Sequence, residues 1–114
     1  MIEQTTPPGG GPPVHCHTRE DEAFYVVEGD FLFLIGEEKI EVHPGDFVWA
    51  PRNIPHTLLN IGSVPARALV TMSPSGMEDF FLKVAAIPGA PTPEQIGELF
   101  EEYGLEFLGP PIIP

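Results

Sequence analysis

The chain has 114 residues, with 17 Asp+Glu against 5 Lys+Arg and a formal net charge of −12. That balance excludes nucleic acid and anionic membrane surfaces as partners, because both require a basic face. A hydrophobic fraction of 42% with eight Phe excludes disorder, and a single Cys excludes an intrachain disulfide.

The length suits one domain spanning residues 1–114. Twelve Gly and fifteen Pro, about a quarter of the chain, call for many turns between short apolar segments. The opening MIEQTTPPGGGPP has neither a basic n-region nor an apolar h-region, and the longest apolar run, Phe31 to Ile35, is too short to span a bilayer. A soluble, cytoplasmic protein is the expectation.

Ile2 to Thr5 reads as a short edge strand. Pro7 to Pro13 is neither helix nor central strand, because Pro lacks a donor and Gly is entropically costly to order; it is a loop leading into Val14. From there to residue 73 short strands recur, at Val14–Thr18, Ala23–Val27, Phe31–Ile35, Lys39–Val42, Phe47–Ala50, His56–Asn60 and Ala66–Met72. Turn clusters such as Glu28-Gly29-Asp30 and Pro44-Gly45-Asp46 separate them. Strands spaced this way indicate an antiparallel sandwich or barrel. Several are apolar on both faces, which suits a closed or two-layered structure.

After residue 73 the period changes. Met77, Phe80, Phe81 and Val84 are spaced as on a helix over 76–86, with Ser75 as its cap. Thr92-Pro93-Glu94-Gln95 reads as N-cap, N1 Pro and acidic first turn of a second helix, which carries Ile96, Leu99, Phe100 and Tyr103 as its stripe and stops at Gly104. Leu105 to Pro114 is expected to pack as an extended strap.

His15 and His17 flank Cys16 in one strand, so their imidazoles share a face and Cys16 takes the other, as a small buried hydrophobe. Glu22 opens the next strand and shares its parity with Phe24 and Val26; His56 opens a later strand and shares its parity with Leu58 and Asn60. Three imidazoles and one carboxylate suffice for a divalent transition metal with open positions left for water or substrate. His43, before Pro44 in a turn, is expected to face solvent. Phe24, Val26, Leu58 and Asn60 are candidate walls of a substrate pocket. Phe47 and Trp49 share one face of their strand, inner or outer. Phe80 and Phe81 serve either the mouth of the site or the core, and Arg52 either an anionic ligand or the surface.

Gly9, His15, His17, Glu22 and Gly29 fit the pattern G-x5-H-x-H-x4-E-x6-G, and Gly45, Pro51, His56 and Asn60 fit G-x5-P-x-G-x2-H-x3-N. These are the two cupin motifs, and residues 9–60 resemble a small single-domain cupin. One position departs: Asn53 stands where the pattern has Gly, and Asn is the next-best residue for a left-handed turn. The stretch PSGMEDFF, the TPEQ helix and the LGPP tail resemble small relatives of quercetin dioxygenase.

The resemblance implies an all-β double-stranded β-helix, a jelly-roll barrel over about 14–73, followed by a helical tail over about 76–114. It implies one divalent metal ion (Fe, Mn, Ni, Co, Cu or Zn) held by His15, His17, Glu22 and His56. The expected chemistry is that of a metal-dependent dioxygenase acting on a small enolisable or flavonol-like substrate, with Glu22 also serving as a catalytic base. The alternatives are a non-catalytic metal or small-ligand module and a sugar-type isomerase. Such relatives usually begin further upstream, so the barrel is expected to be naturally short or completed by a neighbouring subunit. Open sheet edges make a homodimer the expected assembly, with the N-terminal strand pairing onto a partner's sheet.

Overall fold

A computed structural model describes residues 1–112. Nine strands and two helices follow in the order β1 (Ile2–Thr6), β2 (Val14–His17), β3 (Asp21–Glu28), β4 (Phe31–Ile35), β5 (Glu38–Val42), β6 (Phe47–Ala50), β7 (His56–Asn60), β8 (Ala66–Ser73), α1 (Met77–Ala86), α2 (Pro93–Tyr103) and β9 (Leu105–Gly109). They form two antiparallel sheets, β1-β8-β3-β6 and β5-β4-β7-β2-β9.

The inner faces follow the parity of the strands. Phe24 and Val26 of β3, Val48 and Ala50 of β6, and Ala66, Ala68 and Val70 of β8 meet Phe31 and Phe33 of β4 and Leu58 of β7 in one buried cluster. Phe33 is wholly buried, and its ring packs edge-on against Phe24 with centroids 4.9 Å apart. On β6 the other parity points outward, so Phe47 and Trp49 lie on the outer face and are more than half exposed.

The Pro/Gly segment before β2 is irregular, as its composition requires, yet it is tied to β7. The Asn60 N–H donates to the Gly10 carbonyl, and the Gly9 N–H to the Asn60 carbonyl. A Cβ on Gly11 would collide with the Leu58 carbonyl oxygen, so only glycine lets the loop approach β7 this closely. Asn53 sits at φ 66°, the left-handed turn that its place in the second motif calls for.

Two features differ from the sequence reading. Ser75 does not cap α1: Gly76 is the N-cap, and its N–H donates to the Glu78 carboxylate at 2.9 Å instead. The strap is in part a true strand, since β9 pairs with β2 through His17↔Leu105, Cys16↔Glu106 and His15↔Phe107; Ile113 and Pro114 lie outside the described residues. The N-terminal strand pairs with β8 of its own chain, Ile2↔Val70 through Thr6↔Ala66, and forms the edge of its sheet. The second helix is as read. Thr92 and Gln95 form a reciprocal capping box, Pro93 opens the helix and Gly104 closes it at φ 72°.

α1, α2 and β9 gather a second, smaller core of Met77, Phe80 and Leu105, with Leu99, Phe100 and Tyr103 of α2 packed against it. That cluster covers one end of the barrel. None of the helices among the described residues is long and apolar enough to cross a membrane.

Candidate metal centre

β2 presents His15 and His17 on one face, and the register of the β2–β7 pair sets His15 directly opposite His56. Glu22 enters from β3 in the facing sheet. One donor atom from each of His15, His17, Glu22 and His56 lies within 4.8 Å of all the others. A transition metal about 2.1 Å from each donor sets donor–donor separations between roughly 3 and 4.2 Å, so small side-chain shifts close this group around one ion. Glu22, His17 and His56 are buried; His15 is half-buried.

The hydrogen bonds orient the rings for that purpose. His15 Nδ1–H donates to the Pro13 carbonyl at 2.8 Å and His56 Nδ1–H to the Ile54 carbonyl at 3.2 Å. Because a carbonyl only accepts, the proton sits on Nδ1 in both, and Nε2 is left as the ligand atom. His56 Nε2 then lies 2.8 Å from Glu22 Oε1, and His17 Nε2 lies 3.5 Å from the same oxygen. Lone pairs facing a carboxylate at such distances repel unless a proton or a cation is shared. Burial holds His15 below the usual imidazole range and depresses His17 to about 4, so both rings are neutral and ligand-competent at neutral pH. The donor set therefore fits a divalent transition metal.

A cavity of about 510 Å³ opens from this cluster. Its floor holds the four donors, and its sides take Phe24, Leu58, Val70 and Met72 from the two sheets. Val26 and Asn60, candidates by parity, are not part of the wall. Val26 lies deeper, in the barrel core. The Asn60 side chain is used up on backbone: its Nδ2 donates to the Thr6 and Val64 carbonyls, and its Oδ1 accepts from the Gly62 N–H. Both share the parity of a wall residue but stand one or two pairs further along their strands, and depth along a strand is invisible in the sequence. Phe80 and Phe81 do line the cavity.

Arg52 lies outside the cavity, where its side chain and backbone N–H both engage the Asp21 carboxylate. Cys16 is buried on the face away from the donors, with its Sγ 3.6 Å from Glu106 Oε2, and burial pushes its thiol upward.

His43 is exposed, as expected, and its Nδ1 lies 2.8 Å from Asp30 Oδ1. That hydrogen bond raises its pKa above the ordinary 6.5. The bond stabilises the fold fully below the unfolded value and fades as pH rises through the higher folded one. Asp30→Asn is therefore expected to bring the His43 titration midpoint down towards the unperturbed value, as followed by proton–carbon NMR; an unchanged midpoint would refute the pairing.

Sequence reasoning missed Glu20. It is buried, its carboxyl is pushed upward by that burial, and its Oε1 lies 3.7 Å from His17 Nδ1. Neither atom has a hydrogen-bond partner. An acidic residue in the turn between two strands reads as solvated, and nothing in its spacing signals otherwise.

The two facing antiparallel sheets, with the donor cluster between them, make the molecule a double-stranded β-helix of jelly-roll type. The cupin domain family (Cupin_2) matches residues 2–72, and the chain belongs to that family. It is 35% identical over 74 residues to the uncharacterized protein MJ1618 of Methanocaldococcus jannaschii, a match covering 65% of this chain and 59% of MJ1618. The chain thus spans less than two thirds of the length of that relative.

Among solved structures, TT1209 from Thermus thermophilus superposes with a TM-score of 0.61 at 33% identity, covering 63% of this chain and 69% of the other. A putative sugar phosphate isomerase from Acidithiobacillus ferrooxidans superposes with a TM-score of 0.56 at 30% identity, covering 60% of this chain and 45% of the other.

Proposed function

We propose that the protein is a mononuclear metal-dependent dioxygenase, of the quercetin-dioxygenase-like kind, acting on a small enolisable or flavonol-like substrate. The observation that carries this reading is the convergence of three imidazoles and one carboxylate at the floor of a mainly apolar cavity. His15, His17 and His56 would hold the ion through neutral nitrogens, with Glu22 as the anionic donor. A bound divalent metal supplies Lewis acidity there and, if redox-active, a route for electrons from an enolate to O2.

The remaining work falls to the chain. Glu22 Oε1 stands at the cavity floor, where it can take the enol proton from a substrate hydroxyl. Phe24, Leu58, Val70 and Met72 keep water from the reacting carbon and hold a planar ligand against the floor. Association as a homodimer belongs to the same proposal, supported by the exposed aromatic face formed by Tyr25, Phe47 and Trp49 at the β6 side of its sheet.

The isomerase reading draws on the name of the A. ferrooxidans protein. It is disfavoured by the cavity wall, which among the described residues includes no Lys or Arg to meet a phosphate.

Oxygen uptake by protein reconstituted in turn with Fe(II), Mn(II), Ni(II), Co(II) and Cu(II) tests the proposal against flavonols and β-diketones. Consumption that depends on both metal and substrate is expected, with both oxygen atoms appearing in the products from labelled O2. Metal binding without any uptake across the panel would leave a non-catalytic binding module instead.

A further inference from the structure

The family match ends at residue 72, and six of the residues that line the cavity lie beyond it. Met77, Phe80 and Phe81 of α1, Phe100 of α2, and Leu105 and Phe107 of β9 all line the cavity. Four of these six side chains are phenyl rings, and none carries a charge. Their chemistry belongs to the C-terminal segment of this chain, so the names of barrel relatives do not bear on it.

The wall has a graded construction. Met77, Phe80 and Leu105 are buried and fix the segment to the barrel end. Phe81 and Phe107 stand at the rim, 42% and 60% exposed. Exposed rings flanking the mouth of an apolar cavity offer faces that a ligand would cover.

Charge points the same way. The acidic side chains in the wall are Glu3 and Glu22, and Glu3 is held by Arg67 at 2.9 Å. The chain's other cations are committed elsewhere: Arg19 donates to the Glu102 carbonyl, Arg52 pairs with Asp21 and Lys83 with Glu102, while Lys39 lies on β5 away from the cavity. A dianion placed here would be desolvated with no countercharge except the metal. The volume of 510 Å³ corresponds to about seventeen waters at roughly 30 Å³ each, the bulk of two or three fused or linked rings.

We propose that the segment from Met77 to Phe107 is the specificity wall of the site, and that it selects a planar, unphosphorylated aromatic ligand with two or three rings and one enolic or phenolic oxygen turned towards Glu22 and His56. The wall is a cluster of rings: Phe80 packs against Phe81 and Phe100, with centroids 5.3 and 5.8 Å apart, and Phe81 and Phe107 form its exposed lip. Placement of the ligand's oxygen rests on the metal-centre reading above; recognition of its rings rests on the aromatic wall alone.

The test uses the full chain and three probes: 3-hydroxyflavone, flavone (which lacks the 3-hydroxyl) and glucose 6-phosphate. Binding is followed by fluorescence or calorimetry. Both flavones are expected to bind and glucose 6-phosphate not to. The double variant Phe81→Ser/Phe107→Ser changes only rim positions, so the fold is retained. It is expected to weaken flavone binding about tenfold or more while leaving Ni(II) binding, measured separately, as in the parent.

Flavone bound as tightly by the double variant as by the parent would overturn the proposal, as would glucose 6-phosphate binding more tightly than flavone. The two readings fail separately. Flavone binding that the rim variant abolishes, with no oxygen consumed on any substrate, sustains the wall and removes the dioxygenase. Oxygen consumed with a small acyclic diketone, with no flavone bound, sustains the dioxygenase and removes the wall.

Discussion

His56→Ala is expected to abolish stabilisation of the protein by divalent metal. In the parent protein, Ni(II) at a hundredfold excess over its dissociation constant adds about 2.7 kcal/mol, a rise in Tm of about 10–20 °C for a chain of this size. His56 is 2% exposed, is aligned by the Ile54 carbonyl through Nδ1, and turns Nε2 to within 2.8 Å of Glu22 Oε1. Its loss removes one of four donors and strands a buried carboxylate.

Removing an outer-sphere partner of a ligand typically costs 10–100-fold in metal affinity, so losing the ligand itself is expected to cost more than about a hundredfold. His43→Ala is the control, because His43 is exposed and pairs only with Asp30 and its own turn. Titration calorimetry and thermal melts with and without metal read both variants. Stoichiometric, tight metal uptake by His15→Ala/His17→Ala/His56→Ala would refute the assigned centre.

Phe33→Ala is expected to cost the monomer about 3–5 kcal/mol, and Phe47→Ala less than about 0.5 kcal/mol. Both positions are phenylalanines on strands with a free choice of face. Phe33 is 0% exposed, between Phe24 and Phe31, with ring centroids 4.9 and 5.8 Å away. Its removal leaves a cavity in a close-packed interior that relaxes only in part. Phe47 is 64% exposed on the outside of β6. Domains are stable by only about 5–15 kcal/mol, so the first change consumes a large part of the total and the second almost none. Urea unfolding with matched m-values checks both; equal midpoints for the two variants would contradict the assignment of inner and outer faces.

The donor cluster was legible because each part of it is a local rule. Alternation along β2 puts His15 and His17 on one face and sends Cys16 to the other, whatever the strand pairs with. The motif spacing carries Glu22 and His56 to the starts of their strands, and the parity of β3 fixes Phe24 and Glu22 on the same side. The capping box at Thr92 and Gln95 and the stop at Gly104 are likewise set within a few residues. Such features depend on φ/ψ preferences and side-chain reach, which the chain specifies on its own.

Other features depend on what lies across the barrel, and no pattern within one strand contains that information. Val26 and Asn60 have the parity of wall residues, yet one fills the core and the other braces the Thr6 and Val64 carbonyls. Glu20 is buried, with Oε1 3.7 Å from His17 Nδ1, although an acidic residue in a turn reads as solvated. At the start of α1 the N-cap is Gly76 rather than Ser75, and the Glu78 carboxylate accepts from the Gly76 N–H. Leu105 to Gly109 becomes a strand only because β2 offers it an edge. By itself the sequence determined which side chains share a face and where the second helix begins and ends, since those are consequences of backbone period and local capping. The tertiary structure alone decided how deep each residue sits and that side chains from residues 77–107 line the cavity, because both are set by contacts between segments far apart in the chain.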